Sequence, residues 1–222
     1  MPRIARIIGT GYPHHVVQRG NNRQTIFFDD ADREFYLKLL SKYAKECACK
    51  IKLYCLMQNH THLISVPQKK ESLSKMMQKL SLTFTQHINR KYKRTGRLWE
   101  CRFYSSIIDK ESYLLSVCRY IEKNPVRAKL IENPLQYKWS SAKYILSKDN
   151  PEWLEPAWTD YFTKDEYIKF LNQQEGVEEI KKIRRSILKG MPLGSAKFIK
   201  KLSEEVGIFL NTRPRGRPKE NK

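Results

Sequence analysis

The sequence predicts an α+β fold in which one antiparallel sheet carries helices on a face, and three observations support that expectation. Short apolar runs with period-two patterning alternate with two longer segments whose apolar residues recur every three or four positions. Two of the short runs are separated only by Gln58-Asn59, the length of a hairpin turn. Hydrophobic residues make up 40% of the 222-residue chain, enough to fill a substantial core and to exclude wholesale disorder.

Residues 14–20 form the first expected strand, apolar at Val16 and Val17 and stopped by Gly20-Asn21-Asn22. Arg19 and Arg23 flank that turn, where a basic strand end suits phosphate contact as well as plain solvation. A helix starts with Asp29 or Asp30 as its cap and keeps Phe35, Leu39, Leu40 and Tyr43 on one face to about residue 47. Residues 51–57 and 60–67 are the two hairpin strands. A second helix opens near residue 71, with Leu73, Met76, Met77, Leu80, Phe84 and Ile88 as its core stripe. It runs out into Arg90, Lys91, Lys93, Arg94 and Arg97, cations with Tyr92 among them that would grip a phosphate backbone or merely solvate a helix end. Residues 98–108 read as a fourth strand and a third helix begins near residue 109. The order is β-α-β-β-α-β, the ferredoxin-like pattern, with an added C-terminal helix. Its two internal helices would cover one sheet face and leave the other for a ligand or for the added helix.

Charge divides the chain into three parts. Lys and Arg number 43 against 23 Asp and Glu, a net charge of +20 that points to a polyanion, with nucleic acid ahead of an anionic membrane surface. No apolar run reaches the ~18 residues of a membrane span, and no secretion signal is evident. Five cysteines without Cys-x-x-Cys spacing fit a reduced, cytoplasmic protein and support neither a disulfide framework nor a structural zinc site. Residues 9–145 form the expected catalytic domain. Residues 146–180 form an acidic, aromatic connecting segment that folds into short helices. Residues 181–222 form a basic, helical, DNA-binding extension with a flexible tail, in which Arg215 and Arg217 beside prolines would either lie in a narrow minor groove or merely solubilise the end.

Chemistry concentrates in two motifs. His60 and His62 enter a strand one residue apart, so they share a face with Cα atoms roughly 6.5–7 Å apart and could hold one cation. Alone, such a pair is more often two half-buried histidines. The third helix adds a second set: Leu114, Val117, Cys118 and Ile121 form its core stripe, while Tyr120 and Asn124 lie one turn apart on a neighbouring stripe. A tyrosine on a helix is usually a boundary residue and Asn-Pro usually a helix stop, but here a nucleophile and an oxygen ligand one turn apart could face the sheet surface that displays the two histidines.

The stretch from Met57 to Leu63, with His60-Thr61-His62 at its centre, and the stretch Tyr120-Ile121-Glu122-Lys123-Asn124-Pro125-Val126-Arg127-Ala128 together resemble the insertion-sequence-200-like single-tyrosine HUH transposases. Within them the sequence is most similar to the REP-associated tyrosine transposases. Thr61 departs from the hydrophobic residue of the HUH name, and Asn124 stands where related branches carry Gln. The resemblance implies Tyr120 as the catalytic nucleophile and a Mg²⁺ or Mn²⁺ ion held by His60, His62 and Asn124. It implies cleavage and strand transfer on single-stranded or hairpin DNA through a 5′-phosphotyrosine, hence DNA transposition. DNA contacts are expected from Arg19, Arg23, Arg90, Lys91, Lys93, Arg94, Arg97, Arg127, Arg215 and Arg217. It implies no membrane, no nucleotide cofactor, a monomer with a dimer as the alternative, and a cytoplasmic, nucleoid-associated location. The rival reading is a non-catalytic nucleic-acid-binding protein or DNA-bound regulator on the same ferredoxin-like fold.

Overall fold

Gln58 and Asn59 form the expected turn between strands β2 (Cys49–Met57) and β3 (His60–Pro67). The computed structural model of the chain describes residues 6–147 and 150–207; the tail with Arg215 and Arg217 lies outside them. Gly20, Ile26 and Phe27 donate backbone N–H groups to the two turn carbonyls, so the loop after strand β1 (His14–Arg19) holds the hairpin tip. Gly20 is required there, because a Cβ would collide with the Gln24 carbonyl oxygen. Strand β4 (Tyr104–Ile107) completes a sheet in the order β2-β3-β1-β4, antiparallel at every pairing. With helices α1 (Asp30–Glu46) and α2 (Ser72–Lys91), this is the β-α-β-β-α-β arrangement expected.

The helices begin as their sequences dictate. Asp29 caps α1 in a reciprocal capping box with Asp32. Lys91 and Tyr92 at the end of α2 bond the same two carboxylates, tying the helices together. Val16, Tyr54, Leu56 and Leu63 meet α1 and α2 in one apolar cluster. Phe84 stands at its centre, with ring centroids 5.3 Å from Phe27, 5.1 Å from Tyr36 and 6.0 Å from Trp99.

The opposite face receives helix α3 (Leu114–Glu122), whose Val117, Cys118 and Ile121 pack on Leu53, Cys55 and Ile64. The third helix is not continuous. Pro125 lacks the N–H that would bond Ile121 and disfavours a helical residue before it, so the chain breaks at Lys123 and resumes as α4 (Asn124–Arg127). The fourth strand is also shorter than residues 98–108: Leu98, Trp99 and Phe103 are buried against the α2 side, with only a single bridge from Trp99 to Gly20.

The rest of the chain joins this second layer. Trp158, Tyr167 and Leu171, the latter two on α5 (Lys164–Asn172), are buried beside α3, as is Ile183 of α6 (Val177–Lys189). Both sheet edges are partly covered. Along β2, Leu56 N–H bonds the Trp139 carbonyl and Glu155 N–H bonds that of Ile51. Along β4, Leu193 N–H bonds the Ile107 carbonyl, and the Leu193 carbonyl accepts in turn from Asp109 N–H. Helix α7 (Ala196–Val206) packs Leu202 on Ile107 and Ile7. Among the described residues no helix is long and apolar enough to cross a membrane.

Candidate functional site

Strand register builds the site. His60 lies opposite Arg19, and His62 lies opposite Val17 on one side and Cys55 on the other. Directly opposed residues share a face, so His60, His62, Arg19 and His15 all point to the side where α3 lies. The Tyr120 ring comes within 6.1 Å of the His62 ring and 6.0 Å of the His15 ring, centroid to centroid. The His60 and His62 rings are 5.0 Å apart. The nucleophile and histidine pair expected from the sequence therefore meet.

Two residues outside the expected set complete the constellation. Asn59 donates its Nδ2 to the Arg23 carbonyl at 3.2 Å and presents its oxygen to His60 Nδ1 at 2.6 Å. His15 Nε2 stands 2.9 Å from His62 Nδ1, with the two rings stacked. His15 carried no signal in isolation, because only the β1–β3 register brings it to His62. Asn59 was visible only as a turn residue.

Burial holds the His15 imidazole down to about 3 and, with Arg19 nearby, His60 down to about 4. His62 is driven well below the usual histidine range by burial first and by His60 and His15 next. All three rings are therefore neutral near neutral pH, the form that binds a metal.

Arg127 does not reach outward toward a ligand. Its guanidinium lies 4.3 Å from the Tyr120 ring centre, donates to the Tyr120 carbonyl oxygen and pairs with Glu175 at 2.9 and 2.7 Å. Lys91 is likewise occupied by Asp29 and Asp32. Arg94 bonds Gln24, and Arg97 bonds the Glu100 carbonyl. Arg23, Arg90 and Lys93 are exposed, and Arg19 is half-buried at the mouth of the histidine site. Arg97 lines a cavity of about 640 Å³ between α2 and residues 96–103, together with Arg102, Trp99, Phe103 and exposed Leu82. Among the described residues no acidic side chain lines it. Glu100 N–H bonds the Arg19 carbonyl, so this wall is anchored beside the histidine site.

The donors fit a divalent cation. Among the described residues no group of three or more His, Cys, Asp or Glu side chains is placed to hold one, so the His60 and His62 pair would need a donor of another type, or water, beside it. Asn124, one turn past Tyr120, is the amide the sequence offers for that role: its Nδ2 is buried without a partner, and turning the amide over would put its oxygen there instead. Two neutral imidazoles and an amide oxygen suit Mn²⁺ and admit Mg²⁺.

A family model described as "Transposase IS200 like" matches residues 10–124, a span that starts before β1 and ends on Asn124. The chain belongs to the IS200-like transposase family. It is thus a member of a family of DNA-processing enzymes, and the matched span contains His60, His62 and Tyr120. A solved REP-associated tyrosine transposase bound to a REP hairpin superposes with a TM-score of 0.58 at 16% identity, over 67% of this chain and 87% of that one. The two share their fold. A putative transposase from Deinococcus radiodurans R1 matches with a TM-score of 0.38 at 15% identity, over 55% of this chain and 97% of that one. No curated protein matches by sequence.

Proposed function

We propose that this IS200-like transposase cleaves single-stranded DNA at hairpin repeats and transfers the cut strand, using Tyr120 as nucleophile and a Mg²⁺ or Mn²⁺ ion held by His60, His62 and Asn124. The observation that carries the reading is the meeting of Tyr120 with His62 across the sheet face, at 6.1 Å between ring centres. A bound cation there supplies Lewis-acid polarisation of the scissile phosphate.

The residues of the chain do the rest. Tyr120 Oη gives up its proton and bonds to phosphorus, the P–O3′ bond breaks, and the departing oxygen takes a proton to become a 3′-OH. The ester on Tyr120 retains the energy of the broken bond, so a second 3′-OH can attack it, rejoin the strand and release the tyrosine without a nucleotide cofactor. Arg127 over the ring and Glu175 behind Arg127 fix the direction from which Tyr120 attacks. Arg19, beside His60, and the exposed Arg23, Arg90 and Lys93 are the cations that meet DNA phosphates, with Arg97 and Arg102 along the α2 cavity. Arg215 and Arg217 of the tail would add duplex affinity. A monomer acting in the cytoplasm on nucleoid DNA is part of the same proposal; backbone bonds along β2 and at the end of β4 occupy part of each sheet edge and favour the monomer.

The test is cleavage of a labelled single-stranded hairpin with Mg²⁺ or Mn²⁺ present. Wild-type protein should form a covalent adduct mapping to Tyr120, while Tyr120→Phe should bind the hairpin and form none. An adduct on the Phe variant would overturn the assignment. A wild-type protein that binds but never cuts would favour the rival reading of a DNA-binding regulator.

A further inference from the structure

We infer that His15 is a positioning residue: its Nε2 accepts the Nδ1–H of His62 and holds that imidazole in the tautomer whose Nε2 lone pair is open to a metal, as Asn59 does for His60. The inference concerns residues behind the proposed ligands; it rests on the reading of His60 and His62 as metal ligands, and the hydrogen-bond geometry behind them carries it.

The His60 side can be read directly. Asn59 Nδ2 donates to a backbone carbonyl, which can only accept, so the amide oxygen is the atom that faces His60. An amide oxygen has no proton to give. The 2.6 Å contact therefore requires His60 Nδ1 to carry the hydrogen, and its Nε2 is left with the lone pair.

The His62 side has the same form with an imidazole as the partner. His15 and His62 are both buried, at 1% and 4% exposure, so water is a poor substitute for either ring's partner. Across their 2.9 Å contact one nitrogen carries the hydrogen and the other accepts it. If His15 donated, His62 would hold its proton on Nε2 and offer nothing to a cation. If His62 donates, both strand histidines open Nε2 together. Only this second arrangement makes the pair chemically equivalent, and it sets His15 as an Nδ1–H tautomer. Metal-bound histidines usually rest their second nitrogen on a carboxylate, carbonyl or water. Here an imidazole from the neighbouring strand takes that place.

The experiment reads tautomers in the metal-free, DNA-free full chain. Long-range ¹H–¹⁵N correlation spectra of the histidine rings should show His60 and His62 both as Nδ1–H. His15→Phe keeps a ring of similar size against His62 and removes the acceptor; it should convert His62 toward Nε2–H and weaken Mn²⁺ binding, measured by titration calorimetry, about 10–100-fold. Asn59→Ala should do the same to His60 while leaving His62 unchanged. His15→Gln restores an acceptor oxygen, so it should recover part of the loss and serves as the informative variant should the Phe protein fail to fold. The inference is overturned if wild-type His62 is Nε2–H, or if folded His15→Phe keeps both the His62 tautomer and the Mn²⁺ affinity. Failure of hairpin cleavage with the expected tautomers present would count against the proposed function alone.

Discussion

Glu122 lies between Tyr120 and Asn124 and is 1% exposed, which makes the helix carrying Tyr120 sensitive to pH. Its carboxyl accepts a hydrogen bond from Tyr167 Oη at 2.6 Å and faces the Cys55 and Cys118 thiols, themselves kept protonated by burial. Burial raises the Glu122 pKa from 4.5 to about 8, and the Tyr167 bond only partly opposes it. The sign follows. Between about pH 4.5 and 8 the folded protein holds a proton that the unfolded chain has released, so stability is fully present at the acid end and declines as pH rises. The limiting slope is about 1.4 kcal/mol per pH unit, reduced to the extent that the structure relaxes around the new charge. Glu122→Gln keeps an acceptor for Tyr167 and has no proton to lose. Urea-unfolding midpoints measured across this window should therefore fall with pH in the wild type and fall less steeply in the variant, with other titrating groups cancelling in the difference. Parallel slopes for the two proteins would refute the argument that Glu122 is held neutral by burial.

Other perturbations act on separate parts of the molecule. Phe84→Ala empties the centre of the aromatic cluster between the sheet and the two internal helices, and should lower unfolding free energy by about 3–5 kcal/mol, read by chemical denaturation. Arg97→Ala combined with Arg102→Ala should weaken binding of single-stranded DNA. Loss of two phosphate contacts should flatten the plot of log affinity against log salt by roughly 1.4, and an unchanged slope would remove the α2 cavity from the DNA path.

The sheet was legible because its strands advertise themselves locally: Gln58-Asn59 between apolar runs, Gly20 after Val16 and Val17, Asp29 before the periodic stripe of α1. The stripe Leu114, Val117, Cys118 and Ile121 also predicted its buried face correctly. The run from residue 98 misled because burial against a helix produces the same apolar residues as burial in a sheet. Leu98, Trp99 and Phe103 owe their seclusion to the α2 side. Within the site, His60, His62 and Tyr120 were visible as motifs, whereas His15 depends on register between strands 47 residues apart in sequence. Arg127 reads as a DNA contact by charge, and nothing local shows that Glu175 turns it inward.

That inward turn gives the acidic stretch after residue 172 a mechanical purpose. Arg119, Lys123 and Arg127 recur every four residues along α3 and its continuation. Glu179 pairs with Arg119 at 2.8 Å, the Gln173 carbonyl accepts from Lys123 at 2.9 Å, and Glu175 clamps Arg127. On the opposite side Val117 and Ile121 sit in the sheet's own apolar layer. Pulling this helix away would break three charge-assisted contacts and open that layer. Desolvated pairs such as Arg127 with Glu175 are costly to leave half-made. These contacts therefore fix where Tyr120 stands against His15 and His62. The acidic segment, unfavourable to a polyanion if it stood alone, spends its charge holding the tyrosine helix in place.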